Sequence, residues 1–139
     1  MPRPKNHCKN IPSTVYFRMA YEIEFADEFE FWWNALSQEE QISINASAIL
    51  LEEYGVQLKY PHSSGINRSK HAHVRELRTQ HEGRPYRTLY AFNPLRTAIL
   101  LLAGDKTGDD DWYDKNVPVA DRLYDQHLGE LRKEGFIDD

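Results

Sequence analysis

Four arginines lie within residues 74–92, a segment whose alternation of apolar and polar residues is otherwise typical of a β-hairpin. Arginine is an uncommon choice for a half-buried sheet surface, but its planar guanidinium pairs with phosphate oxygens through two parallel hydrogen bonds. Cations placed in this way also stabilise the negative charge that builds up on phosphorus during a reaction. The cluster therefore predicts a phosphate-binding site. Its members are Arg75, Arg78, Arg84 and Arg87.

Strand parity separates these arginines, because successive side chains of a strand point to opposite faces of the sheet. If the leucine between Glu76 and Arg78 faces the helices, those two residues turn to the opposite, outer face. The same reasoning turns Arg87 of the next strand to the outer face, so Arg78 and Arg87 are expected to lie side by side. Arg75 then falls on the inner face, and Arg84 falls in the turn.

The positive charge of the chain is concentrated in its middle third. The whole chain has a net charge of −5, yet residues 57–106 hold nine basic residues, three acidic residues and four of the six histidines. Such segregation favours a cationic site for an anion, carried on an acidic scaffold. Two structural explanations stay open beside it. The basic residues could solvate exposed loops, or they could form cross-strand ion pairs such as Glu76 with Arg87.

The elements around the hairpin predict an α+β domain with the order β-α-α-β-β-β-α, in which helices pack on a small, mostly antiparallel sheet. Asp27 is expected to be the N-cap of the first helix, and Ser37 with Glu40 has the spacing of a capping box that opens the second. The expected strands are 21–25, 74–79, 86–92 and 97–105. The expected helices are 27–36, 37–54, which Gly55 ends, and a last helix that starts at Asn116 with Pro118 in its first turn. Residues 59–72 are expected to form a loop.

Apolar residues at helical spacing predict which side of each helix is buried. Phe31 is the aromatic residue of the first helix that could instead remain exposed for a partner. The expected buried residues are Phe29, Trp32, Trp33 and Leu36 in the first helix, Ile42, Ala46, Ile49, Leu50 and Tyr54 in the second, and Ala120, Leu123, Leu128 and Leu131 in the last.

Composition excludes several classes of protein. A chain of 139 residues with 40% hydrophobic and 28% charged residues is typical of one folded domain. The longest apolar run, Ala98–Ala103, is too short to cross a bilayer, and the polar N-terminus lacks the apolar core of a secretory signal, so we expect a cytoplasmic protein. Cys8 is the only cysteine, which excludes a disulfide and a cysteine zinc site. His71, His73 and His81 are a weak metal signal, so no cofactor or metal is expected.

The order of the motifs resembles the RelE/ParE toxin superfamily, and most closely its HigB-type toxins. The succession E-L-R, Y-R-x-L-Y and L-L-x-G-x-K carries the resemblance, within Glu76–Arg78, Gly83–Phe92 and Ala98–Thr107, and Tyr21–Phe25 precedes it. Order and spacing together are more specific than any single piece. This sequence departs from the family in its acidic net charge and in Glu76, which stands where RelE itself has a lysine.

The resemblance implies a RelE-like fold and the function of a toxin of a type II toxin–antitoxin module. Members of the family are typically ribonucleases, many of them acting on mRNA in the ribosome, so the resemblance implies a metal-independent mRNA endoribonuclease that a cognate helix-turn-helix, HigA-like antitoxin neutralises. Arg78 and Arg87 would bind the phosphate, and Lys106 and Tyr113 match family positions that complete the site. Two alternatives remain open: a RelE-fold module that binds RNA or protein without cleavage, and a ParE-like poison of DNA gyrase.

Cleavage of this kind needs a base for the ribose 2′-hydroxyl and an acid for the leaving 5′ oxygen. Glu76, His71, His73 and His81 are the candidate proton carriers, since histidine titrates near neutrality. The expected catalytic residues are Arg78, Arg87, Lys106, Tyr113, Glu76 and His73, and the expected RNA-binding residues are Arg75, Arg84, Lys70, Arg68 and His81.

The two ends of the chain differ in charge. Residues 1–18 hold four basic and no acidic residues and precede Met19, which matches the usual family start, so we expect a flexible basic tail beside one domain of residues 19–139. The N-terminal helices and the C-terminal helix are acidic. They are expected to receive the antitoxin and to leave Arg78 and Arg87 at least partly open.

Overall fold

A five-stranded sheet with helices on both faces forms the fold in a computed structural model, which describes residues 20–71 and 73–138. Its elements in chain order are β1 (Ile23–Phe25), α1 (Asp27–Asn34), α2 (Gln38–Tyr54), β2 (Ser63–Gly65), β3 (Arg75–His81), β4 (Arg84–Phe92), β5 (Ala98–Asp105) and α3 (Trp112–Lys133). The strand order is β1-β5-β4-β3-β2, with β1 parallel to β5 and all other neighbours antiparallel. The predicted α+β architecture is confirmed, whereas the tail expected at residues 1–18 lies outside the described residues.

Helices α1 and α2 cover one face of the sheet, and their first residues follow local rules. The predicted capping box is present: the Glu40 N–H donates to Ser37 Oγ at 3.1 Å, and the Ser37 N–H donates to the Glu40 carboxylate at 2.9 Å. The N-cap of α1 is Ala26, which has no capping side chain, so the prediction of Asp27 as N-cap was wrong. Asp27 is instead the first helical residue, where its charge is favoured by the helix dipole.

The buried side of α2 is the opposite of the predicted one. Ile44, Ala48 and Leu51 are buried against the sheet, whereas Ile42 is 63% exposed and Ile49 49% exposed. Ala46 and Tyr54, which were also predicted to be buried, are exposed; Leu50 is partly buried. The prediction was wrong because α2 has apolar residues on both sides, so spacing alone does not choose between them.

Residues 59–72 are not a continuous loop, because they contain strand β2. Its three residues pair with the beginning of β3. The Ser63 hydroxyl bonds to the Tyr90 hydroxyl at 2.6 Å, and the Ser64 hydroxyl donates to the Glu76 carboxylate at 2.5 Å. The loop prediction was wrong because pairing with an open strand edge uses backbone groups and needs no apolar alternation.

The turn between β3 and β4 is tighter than predicted. It consists of Glu82 and Gly83, whose φ angles are 50° and 77°, as a two-residue hairpin turn requires. Both strands therefore extend further than expected. Arg84 is the first residue of β4 and does not lie in the turn.

Helix α3 covers the second face of the sheet, the one to which parity assigned Arg78 and Arg87. It begins at Trp112, about one turn before the predicted start at Asn116, and Pro118 lies inside it. Burial of Trp112 in a second core against β4 and β5 stabilises the added turn, although Pro118 removes one helical hydrogen bond. Within the described residues, no helix has the length and apolarity needed to cross a membrane.

Candidate active site

The carboxylate of Glu76 is the centre of a polar cluster between the sheet and α3. It is buried and accepts hydrogen bonds from the hydroxyls of Ser64 and Tyr113, both at 2.5 Å. The guanidinium groups of Arg78 and Arg87 lie 3.2 Å and 3.4 Å from its two oxygens. The structure therefore brings together four of the predicted catalytic residues, and it pairs both arginines with one carboxylate.

The register of the sheet explains why the two arginines meet. Arg78 of β3 lies directly opposite Arg87 of β4, and cross-strand partners share a face. Two like charges in that position repel each other unless an anion lies between them. Glu76 supplies that anion in the free protein. A phosphate group would present the same charge to the same guanidinium groups.

The two arginines differ in access to solvent. The Arg78 side chain is 28% exposed and lies against the ring of Tyr60, with 5.1 Å between the guanidinium carbon and the ring centroid. The Arg87 side chain is 7% exposed and donates to the Tyr86 carbonyl at 2.9 Å. Its Nε has no hydrogen-bond partner within the described part of the chain. Of the two arginines, Arg78 is therefore the one in contact with solvent, and Arg87 is buried.

Tyr113 reaches the site from the first turn of α3. Its ring packs edge-on against Trp112 at 5.2 Å, and the ammonium group of Lys106 lies 5.7 Å from its ring centroid. Burial and the hydrogen bond to Glu76 raise the pKa of the Tyr113 hydroxyl. The hydroxyl therefore keeps its proton at neutral pH and acts as a hydrogen-bond donor.

Gly104 permits this arrangement and provides the first test of it. Gly104 lies opposite Arg87, and a Cβ at this position would come within 2.7 Å of the Trp112 indole nitrogen. We expect Gly104→Ala to displace Trp112 and with it Tyr113, and to lower the free energy of unfolding by about 1–3 kcal/mol. Gly129→Ala is the matched control, because an added Cβ meets nothing there. Urea denaturation of both variants checks this; equal stabilities would contradict it.

Three of the predicted RNA-binding residues lie on the opposite face of the sheet, under α1 and α2. Arg75 donates to Ser63 Oγ at 3.1 Å. It lies on the same face as Tyr90, its cross-strand neighbour in β4, which is buried in the core under α1 and α2. Arg84 pairs with Asp105 at 3.2 Å and with Glu40 of α2 at 3.7 Å. His81 bonds to Ser43 of α2 at 2.6 Å and pairs with Glu82 at 3.0 Å. The structure does not bring these three together with Glu76.

The remaining candidates lie in the segment between β2 and β3. Lys70 and His71 both pair with Asp125 of α3, at 2.5 Å and 2.8 Å, and Arg68 pairs with Asp114 of α3. These contacts fasten the segment to α3. His73 is exposed just before β3. In residues 20–71 and 73–138, no group of three or more His, Cys, Asp or Glu side chains could hold a metal ion.

Comparison with known proteins assigns the chain to a family. The family model "Phage derived protein Gp49-like" matches residues 31–125, which is more than half of the chain. The chain belongs to the Gp49-like family. A Mycobacterium tuberculosis protein named "Putative toxin HigB3" is 41% identical over 102 residues, 73% of this chain and 88% of that protein. "Putative toxin HigB2" of the same organism is 38% identical over 102 residues, 72% of this chain and 51% of that protein.

These similarities confirm the resemblance to HigB-type toxins that the motifs indicated. The chain spans about half the length of HigB2. No solved structure matches it. The Gp49-like match includes the whole Glu76 cluster, from Ser64 to Tyr113.

Three residues that contact Glu76 or Arg78 were not predicted from the sequence: Tyr60, His62 and Ser64. All three belong to β2 or the turn before it. Ser64 lies opposite Glu76, and the Arg78 N–H donates to the His62 carbonyl at 2.8 Å, which extends the pairing by one residue. Recognition of β2 would have found them, because antiparallel register then fixes which residues lie beside Glu76 and Arg78.

Proposed function

We propose that this chain is the toxin of a type II toxin–antitoxin module and that it cleaves mRNA, on the ribosome and in the cytoplasm, as a metal-independent endoribonuclease. The observation that carries the proposal is the buried Glu76 carboxylate, which contacts two arginines and a protonated tyrosine at once. A base, two cations and a hydrogen-bond donor within one cluster meet the needs of phosphodiester cleavage. Membership of the Gp49-like family supports the same reading.

In the proposed reaction the substrate phosphate displaces Glu76 from the accessible Arg78. The freed carboxylate takes the proton of the ribose 2′-hydroxyl, and that oxygen forms a bond to the adjacent phosphorus while the bond to the 5′ oxygen breaks. Arg78 and Arg87 stabilise the charge of the phosphorane, to which Tyr113 donates a hydrogen bond. Lys106 protonates the leaving oxygen. The products are a 2′,3′-cyclic phosphate and a 5′-hydroxyl.

One observation favours a second candidate function. Glu76 already forms ion pairs with both arginines in the free protein, as expected for a structural role. A RelE-fold module that binds RNA or protein without cleavage would have the same geometry. The two candidates differ in whether the Glu76 charge is needed for chemistry.

Induced expression in bacteria, with growth and transcript 5′ ends followed together, tests the proposal. Growth arrest with new 5′ ends inside translated reading frames is the expected result. Arg78→Ala should remove both effects, whereas Arg132→Ala, a change of an exposed arginine in the last turn of α3, should remove neither. Arrest without new 5′ ends would favour a gyrase poison, and unimpaired growth would favour a binding module.

The outer side of α2 is the surface that we propose for the antitoxin. Ile42, Ala46 and Ile49 follow one another at positions i, i+4 and i+7, on the side of α2 opposite its buried face. Residues 20–58, which include α1 and α2, hold nine acidic residues and no lysine or arginine. An apolar stripe in an acidic setting fits an antitoxin helix that carries apolar and basic residues.

This surface lies across the sheet from Glu76, so the antitoxin would leave Arg78 open. We expect the double change Ile42→Asp with Ile49→Asp to abolish rescue by the co-expressed cognate antitoxin while toxicity persists, measured as growth. Leu95→Asp, at an exposed position outside α2, should be rescued like the unchanged protein. Full rescue of the double variant would disprove this docking surface. So would a complex in which the antitoxin inserts an acidic segment between Arg78, Arg87 and Lys106.

A further inference from the structure

Tyr60 is an exposed aromatic residue next to the reachable cation of the site. Tyr60 is 71% exposed, although the centroid of its ring lies 5.1 Å from the guanidinium carbon of Arg78. A large aromatic side chain that stays in water does not contribute the stabilisation that its burial would give. The contact with Arg78 recovers only a part, since a cation–π contact at an exposed site is weak.

The turn that carries Tyr60 is held against the sheet. The N–H groups of His62 and Ser63 both donate to the Lys59 carbonyl, at 2.9 Å and 3.1 Å, which closes the turn. The Arg78 N–H donates to the His62 carbonyl at 2.8 Å, which joins the turn to β3. Backbone hydrogen bonds therefore hold the turn that carries Tyr60 against β3, next to Arg78.

We infer that Tyr60 binds a nucleobase of the RNA by stacking and so biases, through differences in stacking strength, which nucleotide lies beside the cleaved bond. This inference rests on the proposed function, since it takes Arg78 as the phosphate contact. One sugar joins the phosphate and the base of a nucleotide, so a phosphate at Arg78 brings an adjacent base to Tyr60. Stacking on aromatic rings is the usual way in which proteins hold unpaired RNA bases.

A stacking role predicts a change in nucleotide preference as well as a loss of rate. We expect Tyr60→Ala to lower mRNA cleavage by on the order of 10-fold and to flatten the nucleotide preference at one position beside the cut. Tyr60→Phe should keep both, because the ring remains. Phe31→Ala is the matched control: Phe31 is 83% exposed on α1, and its loss should change neither.

The experiment maps transcript 5′ ends after induction of each variant, at protein amounts equalised by immunoblot and with folding checked by thermal unfolding. A lower yield of cleavage with unchanged nucleotide preference would overturn the inference, because Tyr60 would then only hold Arg78 in place. Unchanged cleavage by Tyr60→Ala would also overturn it, while the proposed function would stand. Absence of new 5′ ends with the unchanged protein would remove both together.

Discussion

Replacing Arg87 with alanine is expected to lower the free energy of unfolding by about 3 kcal/mol and to abolish RNA cleavage. The Glu76 carboxylate is buried and has two guanidinium partners, and this change removes the buried one. Arg78→Ala should also abolish cleavage. It should cost less than about 1 kcal/mol of stability, because Arg78 is partly in contact with water. Urea denaturation and the mapping of 5′ ends measure the two effects separately.

A second substitution tests whether the unpaired charge causes the instability. Glu76→Gln removes the charge and keeps one oxygen, which can still accept from either Ser64 or Tyr113; these two hydroxyls donate to different oxygens of the carboxylate. When it is added to Arg87→Ala, we expect it to restore much of the lost stability, as neighbours in one network are not additive. If Arg87→Ala is as stable as the unchanged protein, the pair does not stabilise the fold.

Glu76→Gln by itself is expected to lower the rate of RNA cleavage by about 10²- to 10⁴-fold, because the proposed general base loses its ability to accept a proton. The amide is close in shape to the carboxylate, but the buried Arg87 loses its anionic partner, so we also expect a lower free energy of unfolding. The rates are therefore compared at a temperature at which thermal unfolding shows the variant to be folded. Glu82→Gln is the control for a lost glutamate charge, because Glu82 lies exposed in the turn between β3 and β4.

The same variant distinguishes the two candidate functions. A structural Glu76 predicts the opposite result, since loss of the carboxylate would free Arg78 and Arg87 to bind phosphate more tightly. Retained or increased cleavage by Glu76→Gln would thus exclude Glu76 as the base and leave its ion pairs as structural. The rate is measured by primer extension on a translated reporter mRNA.

Features that depend on residues close together in the chain were predicted better than features that depend on contacts between separate elements. The capping box at Ser37 and Glu40 formed as expected, because each of its bonds joins residues three positions apart. The shared face of Arg78 and Arg87 was also correct, because alternation along a strand depends on the backbone alone. The motif order indicated the HigB-type resemblance that the comparisons then confirmed.

Which side of α2 is buried, and which strand lies beside Glu76, depended on the tertiary structure. Ile42 and Ile49 were expected in the core, but α2 has apolar residues on both sides and the sheet contacts the other one. Strand β2 was not predicted because its pairing uses backbone groups that every sequence possesses.

The sequence by itself determined the α+β class, the order of the main elements other than β2, and the side-by-side arginines, since these follow from repeats of two or about four residues along one chain. Only the tertiary structure decided that α3 begins early enough to bring Tyr113 onto Glu76, and that Arg87 is buried while Arg78 meets water. Those features join residues up to 37 positions apart in the chain, so they form only when separate elements pack together. Long-range packing therefore turns a pair of arginines into a candidate site.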